Sequence, residues 1–339
     1  MKEMGFNKNK IFCSTIGLAA FLLTTALFLG GCGEKGTVSQ VHIESVLTGN
    51  ESDGAEALTN SNASLSVPTQ ITQIGSEYFI VDCYNDQILY NDNLSDPVSD
   101  WKVMCGSISR GHTLASDGTV YLADDTENNR VLVFEKIDGQ FVNTQLFTDI
   151  GIRPHFIVYD EDDASFYAWS SMTGQMYVFK YDENRRVYIS RIMTLDSLND
   201  VYVRSFTIEG DSIYLVSGAG SILIVDKYEF RVKKEYKVPD SMYGMVQIMP
   251  VEKGYYITIS TDVTGNQDYA TIIYTEKLEN LDSGDYTDIY SYFEGGGTPY
   301  YMGRIGDRYY LTEHRLPGHS VWAFDIGEDG MPCNVEAVY

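Results

Sequence analysis

The feature that most constrains this chain is a hairpin unit present six times. Each copy is marked by an aromatic residue near the start of its second strand. The markers Phe79, Tyr121, Tyr167, Tyr214, Tyr256 and Tyr310 are separated by 42, 46, 47, 42 and 54 residues. The clearest copy is His112 to Phe134, HTLASDGTVYLADDTENNRVLVF. It reads as an apolar run, an Asp117-Gly118 turn, a second alternating run, a polar loop and a third run, Val131-Leu132-Val133-Phe134. A more polar fourth run completes each unit, as in Phe141 to Phe147 and Arg231 to Val238.

Four strands per period of forty to fifty residues, with almost no helical periodicity after Cys32, is the pattern of a propeller blade. The fold class expected is therefore all-β: a six-bladed β-propeller of four-stranded antiparallel blades over residues 69–339, one ring and not two domains. How the ring closes is open at this point. Either Cys333 to Tyr339 or Gln40 to Leu47 supplies the outer strand of the last blade. Gln40 to Leu47 reads equally as part of a tether.

Residues 1–68 read differently. Lys2, Lys8 and Lys10 precede an uncharged apolar run, Ile16 to Gly31, which ends Leu29-Gly30-Gly31-Cys32. This order resembles the bacterial lipoprotein signal, in which the cysteine is lipidated and becomes the new N-terminus. The resemblance implies a signal peptide over 1–31, lipidation at Cys32, a flexible Ser/Asn/Gly/Glu-rich tether over 32–68 and an extracytoplasmic location on the cell membrane. Removing 1–31 takes away three Lys and one Glu and moves the formal charge from −24 to −26. So acidic a surface repels phosphate backbones, which argues against nucleic acid as a partner, and it leaves membrane attachment to acyl chains. Beyond Cys13 and Cys32 only Cys83, Cys105 and Cys333 remain, an odd trio without a CxxC pair. One bridge is open to them, and packed thiols are the default.

A second resemblance lies in the repeat. Asp117-Gly118-x-Val120-Tyr121-Leu122-Ala123-Asp124 followed by Asn128-Asn129-Arg130-Val131 is similar to an NHL repeat, and Tyr78 to Asp82 with Asn85-Asp86-Gln87 echoes it. The other four units keep the strand rhythm and lose the Asn-x-Arg element. The resemblance implies a six-bladed ring, a fold that hosts lyases, hydrolases and binding scaffolds alike.

Aligning the units on their turns places Gln70, His112, His155, Arg204, Gln247 and Tyr301 at matching first-strand positions around the channel mouth. Loops on that face add Asp82, Asp124, Asp125, Trp169, His314 and His319, so four of the five histidines share one predicted face. Three functions follow. The first is a non-catalytic recognition module for a glycan, peptide or partner protein, in which Gln70, His112, His155, Arg204, Gln247, Tyr301 and Trp169 contact the ligand. Arg204 would grip a carboxylate, and Trp169 and Tyr301 would stack on a sugar ring or an apolar side chain. The second is a metal-dependent lyase or hydrolase. Its metal candidates are His112, His155, His314, His319 and Asp124, although Arg204 occupies the place of a third inner-strand ligand. The third is a structural scaffold of an envelope complex. No cofactor is expected, a bound metal being the alternative. No G-x-S-x-G elbow is present, and none of the three remaining cysteines has a histidine near it in sequence.

Overall fold

A computed structural model describes Val38–Ser39 and residues 60–339, except 263, 294–296 and 315–320. The segment 1–31 that resembles a signal peptide, Cys32, Gln40 to Leu47 and His319 lie outside the described residues. Among the described residues no helix is long and apolar enough to cross a membrane.

Each repeat unit is one antiparallel sheet whose four strands pair in chain order. Blade one runs Pro68–Ile74, Glu77–Asp82, Gln87–Asn91 and Lys102–Cys105. Blade two runs Leu114–Ser116, Val120–Asp125, Arg130–Ile137 and Gln140–Phe147. Blades three to six begin at Pro154, Val203, Met245 and Thr298. All six aromatic markers fall in second strands. Outer strands are the most exposed, as in Val232–Lys237, where no residue is buried.

The apolar residues form six clusters, one at each junction between neighbouring blades. This explains the continuous apolar runs of the second and third strands. Alternate side chains of a strand point to opposite faces, and here both faces are covered. In blade one Phe79 and Val81 pack toward blade two, while Ile80 packs toward blade six. Polar side chains near the channel complete the junctions. Gln70 Oε1 accepts from Leu114 N at 2.7 Å, the Thr113 hydroxyl accepts from Ile157 N at 2.9 Å, and the Gln247 amide exchanges two hydrogen bonds with the Met302 backbone. Inner strands of adjacent blades do not form ladders with each other, so these side chains satisfy backbone groups that ladders would otherwise hold.

The ring closes through the chain's end. Pro332–Ala337 is the fourth strand of blade six, and the four repeat strands of every blade are consecutive, so among the described residues no strand is exchanged between blades one and six. Tyr339 accepts a hydrogen bond from Trp101 Nε1 at 3.0 Å and lies 2.9 Å from the Asp96 carbonyl, both in blade one. At the other end of the described chain, Val38–Ser39 pairs antiparallel with Ile192 and Met193 at the outer edge of blade three.

One expectation is corrected here. Cys83 and Cys105 are buried free thiols, but Cys333 is exposed on an outer strand and not packed. The acidic turn at Asp160 carries a buried ion pair. Asp160 takes the ammonium of Lys227, which is fully buried, at 2.6 Å between blades three and four.

Candidate functional site

The mouth of the channel holds a cavity of about 330 Å³ to which all six blades contribute. His112 and His155 lie at its floor, their rings stacked 3.7 Å apart at 24°. His155 is almost fully buried. Its Nδ1 sits 3.0 Å from the Arg204 carbonyl, which can only accept, so Nδ1 carries the proton. Nε2 then accepts from the hydroxyls of Tyr202 and Tyr300 at 3.2 and 3.3 Å. Burial, then the neighbouring His112, Arg204 and Arg153, hold its pKa well below the ordinary histidine value. Burial likewise raises the Tyr300 phenol, keeping it a hydrogen-bond donor.

His112 rests on blade two's own polar core. Its Nδ1 lies 3.0 Å from Thr126 Oγ1, and its Nε2 lies 3.9 Å from Cys83 Sγ. Burial, followed by the charge of Asp124, pushes the Cys83 thiol up to about 12, so the sulfur is a thiol at neutral pH. Asp124 accepts from the backbone of His112 and Thr113 and from the hydroxyls of Thr113 and Thr126. Its carboxylate is spent on holding the strand.

Arg204 extends over the Tyr202 ring, 5.1 Å from its centroid, and donates to the Gly244 carbonyl at 3.1 Å and to the Ser260 hydroxyl. Two further arginines line the same cavity, Arg110 and Arg153. The Arg110 guanidinium stacks 4.0 Å above Tyr84, and one of its terminal nitrogens, Nη1, is buried without a hydrogen-bond partner. Arg153 pairs with Glu127 at 2.8 Å.

Sequence alignment of the turns placed six residues at one level, and the structure splits them over two. His112, His155 and Arg204 line the mouth cavity with His314, whereas Gln70 and Tyr301 line a second cavity of about 220 Å³ further along the inner strands. Gln247 is turned into the blade-five to blade-six junction. The cause is register. Five inner strands carry an irregularity near their start, such as Pro68/Gln70 and Pro154/Phe156, and the blade-two hairpin pairs Ser116 with Tyr121 where blade one pairs Thr72 with Phe79. Equal offsets from the aromatic marker therefore do not mean equal depth. Trp169 lines neither cavity: it is fully buried in the junction of blades three and four, with its indole N–H on the Val203 carbonyl at 3.1 Å.

Asp82 and Asp125 have equivalent structural tasks. Asp82 accepts from Ser66 N, Asn85 and Gln87, and Asp125 accepts from Ser109 N, Asn128 and Arg130. Among the described residues no three histidine, cysteine or carboxylate side chains are grouped to hold a metal ion. The two imidazoles stack in place of converging on a point about 2.1 Å from each, the spacing a shared zinc requires.

The residues missed from sequence are Arg110, Arg153, Tyr202 and Tyr300. The signal for the first two was present: Arg110-Gly111-His112 and Arg153-Pro154-His155 repeat an Arg-x-His element 43 residues apart, one blade to the next.

No family model and no curated protein matches the chain. Among solved structures it is similar to a candidate 6-phosphogluconolactonase from Bacteroides uniformis, with a TM-score of 0.57 and 14% identity over 82% of this chain and 87% of that one. A second candidate 6-phosphogluconolactonase, from Bacteroides fragilis, gives 0.57 and 12% over 89% and 95%. Sqt1 of Saccharomyces cerevisiae gives 0.55 and 9% over 82% and 87%. At these identities the likeness shows the fold alone, a β-propeller, and proteins of different activities share it.

Proposed function

We propose that the chain is a lipid-anchored, extracytoplasmic propeller with NHL-like blades, whose channel-mouth cavity binds a ligand without turning it over. The observation that carries this reading is the cavity itself, a single concavity of about 330 Å³ lined by polar and aromatic groups from every blade. That volume lies at the small end of the range for ligand sites. Binding is favoured over turnover by the state of the reactive groups. The Cys83 sulfur is a thiol held up to about 12, and His155 already has both ring nitrogens hydrogen-bonded. The neighbours named as lactonases share the fold and lend no activity to this chain.

The test is an array of glycans and peptides probed with the full chain in mild detergent, beside His112→Ala/His155→Ala and the milder Tyr202→Phe. Ligands should be lost or weakened in both variants while the fold, read by circular dichroism, persists. Ligands that bind all three proteins equally would move the site away from the mouth. Cys32→Ala should release the protein from the membrane fraction, and continued anchoring would refute the lipid attachment.

A further inference from the structure

Charge is distributed over this protein in a way that singles out one place. The chain carries 48 acidic and 24 basic residues, yet the mouth cavity reverses that ratio, with Arg110, Arg153 and Arg204 against the single acid Glu127. The three arginines come from three consecutive blades, so no local sequence run accounts for their meeting. Their partners differ in a telling way. Arg153 is neutralised by Glu127, and Arg204 is braced by a carbonyl and a hydroxyl, which are neutral acceptors. Arg110 rests on an aromatic face with a buried nitrogen that nothing accepts from. Among the described residues its charge has no ion pair, and an anion arriving in the cavity supplies one.

The backbone is held in an unusual shape to put these side chains there. Arg110 and Arg153 have φ of 55° and 58°, a region that bulky residues avoid. Arg153 also precedes Pro154, and residues before proline favour the extended region. Each is pinned by the previous blade: Arg110 N donates to Asp86 Oδ1 at 3.0 Å, and Arg153 N to Asn129 Oδ1 at 2.8 Å. Gly111 follows because a Cβ there would lie 2.7 Å from the Asp124 carbonyl.

Resting on the binding role proposed above, we infer that the mouth selects a carboxylate-bearing sugar. Its anionic group is taken by Arg110 and Arg204, and its ring hydroxyls meet Tyr202 and Tyr300 beside the exposed face of Tyr84. The cavity suits one such residue at the end of a chain, and its mixture of phenols and guanidinium groups suits a polyhydroxylated ring better than an apolar side chain.

The experiment is calorimetric titration of the full chain with glucuronic and galacturonic acid and their oligomers, the neutral glucose and galactose counterparts, and glucose 6-phosphate. It is repeated for Arg110→Gln, Arg153→Gln and Arg204→Gln. The acidic sugars should bind at least tenfold more tightly than the neutral ones. Arg110→Gln, which breaks no hydrogen bond of the guanidinium, should remove that preference even if Arg204→Gln proves poorly folded. Arg153→Gln should have the smallest effect, because Glu127 already occupies that charge. A stronger response to the phosphorylated sugar assigns the site to phosphate and overturns the carboxylate. Neutral ligands that bind through His112 and His155 but ignore the arginine variants overturn the anion selectivity and leave the binding role standing. Acidic sugars that fail to bind at millimolar concentration overturn the inference outright.

Discussion

Because no strand is shared between the first and last blades, closure of the ring depends on side chains, and Tyr339 is the one whose loss is easiest to measure. Its backbone is fixed to blade six, with Val321 N donating to the Tyr339 carbonyl at 3.1 Å. Its hydroxyl reaches across to blade one, accepting from Trp101 Nε1 and donating to a carbonyl of the Leu94 to Asp96 loop. The rings of Tyr339 and Trp101 meet edge to face at 5.9 Å. Tyr339→Phe keeps the ring contact and removes the hydroxyl. Trp101 Nε1 retains the Asp96 carbonyl at 3.3 Å, so the cost is that of one ordinary hydrogen bond, about 1 kcal/mol. Tyr339→Ala also removes the ring from a half-buried site, for a total of about 2–3 kcal/mol. For a domain of this size each kcal/mol lowers Tm by about 2–4 °C, giving roughly 3 °C for Phe and roughly 8 °C for Ala. The assay is thermal unfolding followed by circular dichroism, with Tyr269→Ala as an exposed control and hydrogen exchange to localise the effect. Amides of Pro332–Ala337 and Lys102–Cys105 should exchange faster in Tyr339→Ala while blades three and four stay protected. A Tm equal to that of the control, or loss of protection spread evenly over all blades, would refute closure by this contact.

Two further outcomes are expected. His155 titrates well below the ordinary value when folded and near 6.5 when unfolded, so the unfolded chain takes up the proton first as pH falls. Its contribution is therefore complete above pH 6.5 and is lost below it, and between pH 7.5 and 5.5 the wild type should lose about 1 kcal/mol more than His155→Gln. Equal losses by urea unfolding at the two pH values would show that the imidazole accepts a proton in place. Lys227→Met leaves the Asp160 carboxylate between blades without its cation and should cost about 3–5 kcal/mol, whereas Lys227→Met/Asp160→Leu should recover most of it. A double variant no more stable than the single one would contradict the pairing.

The architecture was legible because its signals are local. Turn residues, alternation and an aromatic marker repeat at blade spacing, and each is set within a dozen residues. Depth along the channel was not. It depends on how many residues each hairpin spends in its turn and on the irregularity near the start of most inner strands, so Gln70 and His112, both nine residues before their marker, lie at different levels. Trp169 misled for a related reason. An aromatic in a second strand is compatible with either face, and only the Val203 carbonyl of the next blade shows that this indole is enclosed.

Arg110 and Arg153 stand ahead of the inner strands, outside the strand alternation that marks the other lining residues. The motif read for its resemblance explains their placement. In blade one the turn Cys83–Asn85 ends in Asp86, and in blade two Thr126–Asn128 ends in Asn129. Both end residues are left-handed, with φ of 52° and 54°. Asp and Asn tolerate that conformation, and it turns their side-chain oxygen toward the next blade. There each accepts the backbone N–H of an arginine that is itself left-handed. Asp82 and Asp125 brace the turns from within through Asn85 and Asn128. The repeat motif therefore supports the lining of the mouth cavity: each copy holds the backbone of the arginine that the following blade places there. Only blades one and two carry the motif, and only blades two and three present an Arg-x-His element at the mouth. The one-blade offset between motif and arginine is what a support acting on its downstream neighbour requires.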